Sequence, residues 1–163
     1  MKVFISHKSE DVELAKEIAV SLEQKGFKLY FDAYDDVIKT TVDRPSHIQN
    51  EIRNSTHLLV IVTKNTKDSW WVPFEIGLST ALDKKIATFT NMKNIPLPSF
   101  LRKWPVMDNQ RKWDVYLNEL GKNQFQLLQE QSIKKSQENI GFIPYMRESD
   151  LFHTVLMEKF RNL

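Results

Sequence analysis

Residues 58–62 read Leu-Leu-Val-Ile-Val, five apolar side chains in a row with no polar alternation. A strand with one face in water alternates apolar and polar residues. This run instead fits a strand buried on both faces, as in the middle of a parallel sheet. Parallel neighbours cannot be joined by tight hairpins and need crossover connections, usually helices. The run therefore asks for helices before and after it, and for strands on both sides.

The first half of the chain supplies them. Val3-Phe4-Ile5 is a short apolar run that ends at polar Ser6-His7-Lys8. Ser9 stands where a helix cap belongs, with Glu10, Asp11 and Glu13 where the helix dipole favours carboxylates. Ala15, Ile18, Ala19 and Leu22 recur at helical spacing, and Gly26 ends that helix. Phe27 to Phe31 form a second strand, followed by a polar, Asp-rich loop over 32–45. Ser46 and Gln49 have capping-box spacing, and the short helix after them puts Ile48 and Ile52 on one side. Beyond the central run, a helix begins near Trp70 or Trp71, because Pro73 is tolerable only in a first turn. Its expected inward stripe is Trp71, Phe74, Leu78 and Ala81, with one of the two tryptophans in the core. Lys85 to Phe89 complete a β-α-β-α-β-α-β order. That order predicts an α/β fold, an open parallel sheet with helices on both faces.

The second half is less regular. Trp104 to Met107 read as a short edge strand, since Pro105 argues against a central place. Trp113, Tyr116, Leu117 and Leu120 mark a helix; residues 121–147 are rich in Gln and Lys. A last helix starts near Ser149, with Phe152, Val155, Leu156 and Phe160 facing inward. The expected organisation is one domain over 1–120 and a C-terminal helical extension over 121–163 packed on it.

Several function classes drop out. With no Cys there is no disulfide, thiolate zinc site or cysteine nucleophile, which fits a reducing cytoplasm. Lys and Arg number 23 against 21 Asp and Glu, too balanced to indicate nucleic acid. Residues 91–163 carry the mild excess, 11 basic against 8 acidic side chains. No apolar run is long enough for a membrane span, and the N-terminal residues have no signal-peptide pattern. Neither common Gly-rich phosphate loop is present. A phosphoryl-receiver domain would need an Asp where the central strand ends in Val62-Thr63-Lys64. Ser6, His7 and Asp11 lie close together, but no nucleophile elbow surrounds Ser6. His47 and Glu51 sit one helical turn apart and read as a solvated helix face, so no metal site is expected.

Three segments carry a more specific signal: Lys2-Val3-Phe4-Ile5-Ser6-His7-Lys8-Ser9-Glu10-Asp11, then Lys25-Gly26-Phe27-Lys28-Leu29-Tyr30-Phe31-Asp32, then Ser69-Trp70-Trp71-Val72-Pro73-Phe74-Glu75. In this order, with a buried strand between the second and third, they resemble a Toll/interleukin-receptor (TIR) domain of the bacterial stand-alone type. The third is similar to the family's Ser-x-Trp-x-x-x-Glu signature. The resemblance implies a flavodoxin-like open sheet. It covers residues 2–90 well, looks similar to bacterial TIR tails over 101–120, and is silent on 121–163.

TIR domains are of two kinds: self-associating adaptors, and enzymes that cleave NAD at the nicotinamide–ribose bond with the glutamate of the third segment. The resemblance implies Glu75 as the catalytic residue here. It also implies a substrate cleft formed by Ser6, His7, Lys8, Asp32, Tyr34 and Trp71, with NAD as substrate and no cofactor. Lys8 would face the pyrophosphate where some members use arginine. Nicotinamide leaves as a neutral molecule, so no general acid is required. The charge that develops is an oxocarbenium ion on the ribose, which one carboxylate can stabilise.

The implied function is a NAD nucleosidase or cyclase releasing nicotinamide and a cyclic ADP-ribose-like signal, or ADP-ribose. It would act in anti-phage defence similar to the Thoeris type, with homotypic TIR self-association and a separate effector as partners. One alternative is a non-enzymatic TIR interaction module. A buried or ion-paired Glu75 facing away from any cleft would favour that reading. A further alternative is an enzyme similar to nucleoside deoxyribosyltransferases, which have a related open sheet and a catalytic glutamate.

Overall fold

The computed structural model describes residues 1–31, 43–92, 97–122, 126, 129 and 146–163. Five strands, β1 (Lys2–Ser6), β2 (Lys28–Tyr30), β3 (His57–Ile61), β4 (Lys85–Phe89) and β5 (Val106–Met107), form one sheet in the order β2-β1-β3-β4-β5. Every pairing is parallel. β3 lies at the centre, as its unbroken apolar run requires, and all five of its residues are buried. Among the described residues, the helices with defined bounds are α1 (Val12–Gln24), α2 (Arg44–Arg53), α3 (Trp71–Ala81), α4 (Gln110–Leu120) and α5 (Glu148–Arg161). None of those described is long and apolar enough to cross a membrane.

The sheet divides the core by strand alternation. Val3, Ile5, Leu59, Ile61 and Ala87 face one side, where the apolar residues of α1, α4 and α5 cover them. Phe4, Leu58, Val60 and Ile86 face the other, against Ile48 and Ile52 of α2 and Val72 and Ile76 of α3. The α/β layering expected from the sequence is the architecture found.

Two helix starts differ from expectation. Ser9 caps no helix; residues 9–11 make a 3-10 turn, and α1 begins at Val12. Ser46 lies inside α2 rather than before it. Asp43 is the cap, its carboxylate accepting the Ser46 N–H at 3.2 Å, with Pro45 in the first turn. An aspartate three residues earlier satisfies an orphan donor one turn earlier, the Ser46 N–H, and lets the Pro ring sit where no N–H is needed. Gly26, by contrast, ends α1 as anticipated, at φ 82° in the left-handed region.

α5 is bound to the sheet by apolar and polar contacts. Leu151, Phe152, Val155 and Leu156 enter the core. Glu148 pairs with the buried Lys85, and Arg147 with Asp83. His153 Nε2 accepts the backbone N–H of Ile86 at 2.8 Å, taking the place of a strand residue on the β4 edge that the short β5 does not reach. This bond needs a neutral imidazole. Burial lowers the His153 pKa to about 4; Asp150 opposes the shift, while Lys103, Arg147 and Lys85 reinforce it. Burial likewise holds His57 well below the usual 6.5, helped by Lys85 and the N-terminal amine.

The unfolded chain therefore binds more protons than the folded one below about pH 6.5. His153 stabilises the fold fully above that value, and its contribution is lost as pH falls towards 4. The expected loss from His153 is up to about 3 kcal/mol. Urea midpoints measured from pH 7.5 to 4.5 should fall steeply, and His153→Gln, which keeps an acceptor but cannot titrate, should flatten the slope.

Candidate functional site

The carboxyl ends of β1 and β3 and the start of α3 converge on one carboxylate. Ser6, the last residue of β1, is 1% exposed, and its Oγ donates to Glu75 Oε2 at 2.5 Å. Glu75 is 7% exposed. It sits on the inward face of α3 with Val72, Ile76 and Ser79. This corrects the expected stripe: Phe74 and Ala81 are exposed, and Trp71 and Leu78 are only half-buried. Neither tryptophan is core; Trp70 is 92% exposed. Apolar residues occur all round this helix, so their spacing did not tell one face from another. The sheet selects the face that carries the glutamate.

The loops that flank this pair are stapled together. Asp11, buried at 7% exposure, accepts from Thr63 Oγ1 at 2.8 Å and from Asn65 Nδ2 at 2.7 Å. It ties the turn after β1 to the loop leading into α3. That loop closes on itself through Thr63 N–H to Thr66 Oγ1 at 2.9 Å, and Ser69 Oγ accepts the Val72 N–H at the mouth of α3. A helix start held in this way fixes the direction in which Glu75 leaves it. Asp11, Thr63 and Asn65 were absent from the expected site, and only the proximity of Asp11 to Ser6 and His7 in sequence hinted at a role.

The remaining expected site residues fall around this centre to different degrees. His7 is half-buried, its ring 5.0 Å from the buried Phe31 ring. Lys8 is turned to Glu10, with Nζ 3.0 Å from its carboxylate. Trp71 packs edge-on against Phe74, and the Arg44 guanidinium lies 4.9 Å from its ring centroid. Arg44, at the start of α2, has no sequence signal that would link it to Trp71, 27 positions away. Asp32 and Tyr34 lie outside the described residues. Of the two residues one helical turn apart that read as a solvated helix face, Glu51 bonds to Lys2 and His47 packs near the Tyr30 ring. Among the described residues no three His, Asp or Glu side chains could share a metal. A carboxylate removed from bulk water and held by a hydroxyl donor can face a developing positive charge with little reorganisation.

Among curated proteins, no sequence matches the chain. The fold is similar to that of the TIR domain of the Toll-related receptor TRR-2 from Hydra magnipapillata. That likeness has a TM-score of 0.59 at 19% identity and covers 72% of this chain and 93% of that one. It is also similar to a 2-desoxiribosyltransferase from Leishmania mexicana, with a TM-score of 0.55 at 14% identity, over 72% of this chain and 97% of that one. Likenesses at such low identity speak for the fold alone. A family model described as TIR domain matches residues 3–114, and with that share of its sequence matched the chain belongs to the TIR domain family.

Proposed function

We propose that this TIR domain is an enzyme acting on an N-glycosidic bond, and that its substrate is NAD, cleaved between nicotinamide and ribose. The observation that carries this reading is the Glu75 carboxylate, withdrawn from water at the carboxyl edge of the sheet with the Ser6 hydroxyl on one oxygen. Ligands of open α/β sheets bind at that edge. In the reading, the ribose lies against Glu75, nicotinamide departs neutral, and the carboxylate stabilises the ribosyl cation. Trp71 and the His7–Phe31 pair then wall the cleft against water, and the Asp-rich 32–45 loop of a second copy completes it. A nearby aromatic wall favours attack on the cation by the substrate's own adenine end over attack by water. A cyclic ADP-ribose isomer is accordingly the proposed product, acting in the cytoplasm as a messenger to a separate effector in anti-phage defence.

Incubation of the purified chain with NAD, read by chromatography and mass spectrometry, tests this. Nicotinamide together with a species one water lighter than ADP-ribose is the expected outcome. Linear ADP-ribose alone would leave the glycosidic chemistry and remove the messenger. Absence of nicotinamide over a wide range of protein concentration would overturn the enzymatic reading. A parallel incubation with nucleosides separates the deoxyribosyltransferase-like alternative. The interaction-module reading draws on the burial of Glu75, which lines neither the cavity at Lys85 and Glu148 nor the one at Trp104 and Phe160, and on Trp70, whose 92% exposure beside a half-exposed Phe74 is unusual for a residue serving only its own fold.

A further inference from the structure

We propose that the groove along the outer edge of β5 docks an extended acidic peptide segment carrying one bulky apolar side chain. β5 is the last strand of the sheet. Its inner edge is satisfied by β4, since Thr88 N–H donates to Pro105 O and Thr90 N–H to Met107 O, each at 2.9 Å. Alternation along the strand then turns the N–H and C=O of Val106 outward, where no further strand of the described residues pairs with them. An edge of this kind is a template for strand addition.

Beside it lies a cavity of about 290 Å³ with an apolar floor of Trp104, Met157 and Phe160 and a cationic rim of Arg102, Lys112 and Arg161. Among the described residues no carboxylate lines it. Lys112 is partly engaged, with Asp108 at 2.9 Å and its Nζ 5.8 Å from the Phe160 ring centroid. Arg102 and Arg161 are exposed and take part in no ion pair among the described residues.

Each part of the groove specifies one feature of its occupant. The Val106 amide and carbonyl call for an extended backbone, which a phosphate chain cannot imitate. The slot between Trp104 and Phe160 takes a large apolar side chain. Strand alternation places every second residue of an added strand on the same side, so carboxylates flanking that anchor reach the arginines. Met157, Phe160 and Arg161 come from α5, so part of this surface is built by residues beyond the stretch that matches the family.

The test is selection of a random peptide library on the full chain, followed by fluorescence anisotropy with the synthesised winners. Enriched peptides should be acidic with one aromatic or large aliphatic residue, and their binding should weaken as salt rises. The double variant R102E/R161E should bind them at least about tenfold more weakly, since both changes reverse rim charges. Val106→Pro should do the same, because it removes the outward N–H and leaves both acceptors facing β4 in place. Circular dichroism checks that each variant is folded, and the arginine variant alters only exposed side chains. Enrichment of no acidic, apolar-anchored peptide, or binding unchanged in R102E/R161E, overturns the proposal. It is equally overturned if what that variant abolishes is self-association or binding to phosphatidylserine vesicles.

Discussion

Glu75→Gln is expected to lower the proposed NAD cleavage by about 10²-fold or more, the usual cost of deleting one preorganised electrostatic group at a developing charge. The amide keeps the size of the side chain and an oxygen that can accept from Ser6 Oγ, so the 2.5 Å contact has a neutral substitute and the helix face stays filled. What disappears is the negative charge that the proposed reaction sets opposite the ribosyl cation. The loss should therefore fall on kcat, with a far smaller change in KM, because the ground-state substrate carries its positive charge on the nicotinamide ring rather than on the ribose. Turnover by the variant at the wild-type rate would show that the cation is met by another group. Unfolding of the variant would instead make Glu75 a structural residue, held by Ser6 for the sake of the core.

Phe152→Ala is expected to destabilise the protein by about 3–5 kcal/mol, the range for deleting a fully buried aromatic side chain. Phe152 is 1% exposed and contacts the rings of His57 at 5.4 Å and Tyr116 at 6.5 Å, both edge-on, with Lys85 Nζ 5.6 Å from its centroid. It thus joins α5 to β3, β4 and α4 at one point. A loss of that size is a large part of the stability of an ordinary domain. Urea or thermal unfolding reads it directly. A single cooperative transition at lower denaturant would make α5 part of the same folding unit as the sheet. A change below about 1 kcal/mol would mean that the site relaxes around the missing ring and that the extension is an accessory.

The fold was legible where burial leaves a period in the sequence. Leu58 to Val62 announced a central strand because both of its faces are covered, and Ile48 with Ile52 announced a one-sided helix. Trp104 to Met107 read correctly as an edge strand; Pro105 is tolerated there because it stands just before the first residue of β5, with its carbonyl still accepting from Thr88. The helix starts were harder. Ser9 and Ser46 have the right chemistry for caps, but so do Asp11 and Asp43 nearby, and only the path of the chain selects among them.

For the site, the sequence by itself determined a glutamate four residues after Trp71 on a helix that follows the central strand, and through the family signature that was enough to single out Glu75. It could not determine which way that glutamate points. Trp71, Val72, Phe74, Ile76, Leu78 and Ala81 spread apolar surface around the whole of α3, so intrinsic periodicity left its inward face undecided. Packing against Val60 and Ile86 resolved it, with Val72 and Ile76 inside and Trp70 in water. That rotation brings Glu75 to Ser6, 69 positions earlier in the chain. The contact belongs to the tertiary structure because it depends on three separate choices. The sheet order puts β1 beside β3, the Asp11 staple sets the loop that starts α3, and the core selects the helix face.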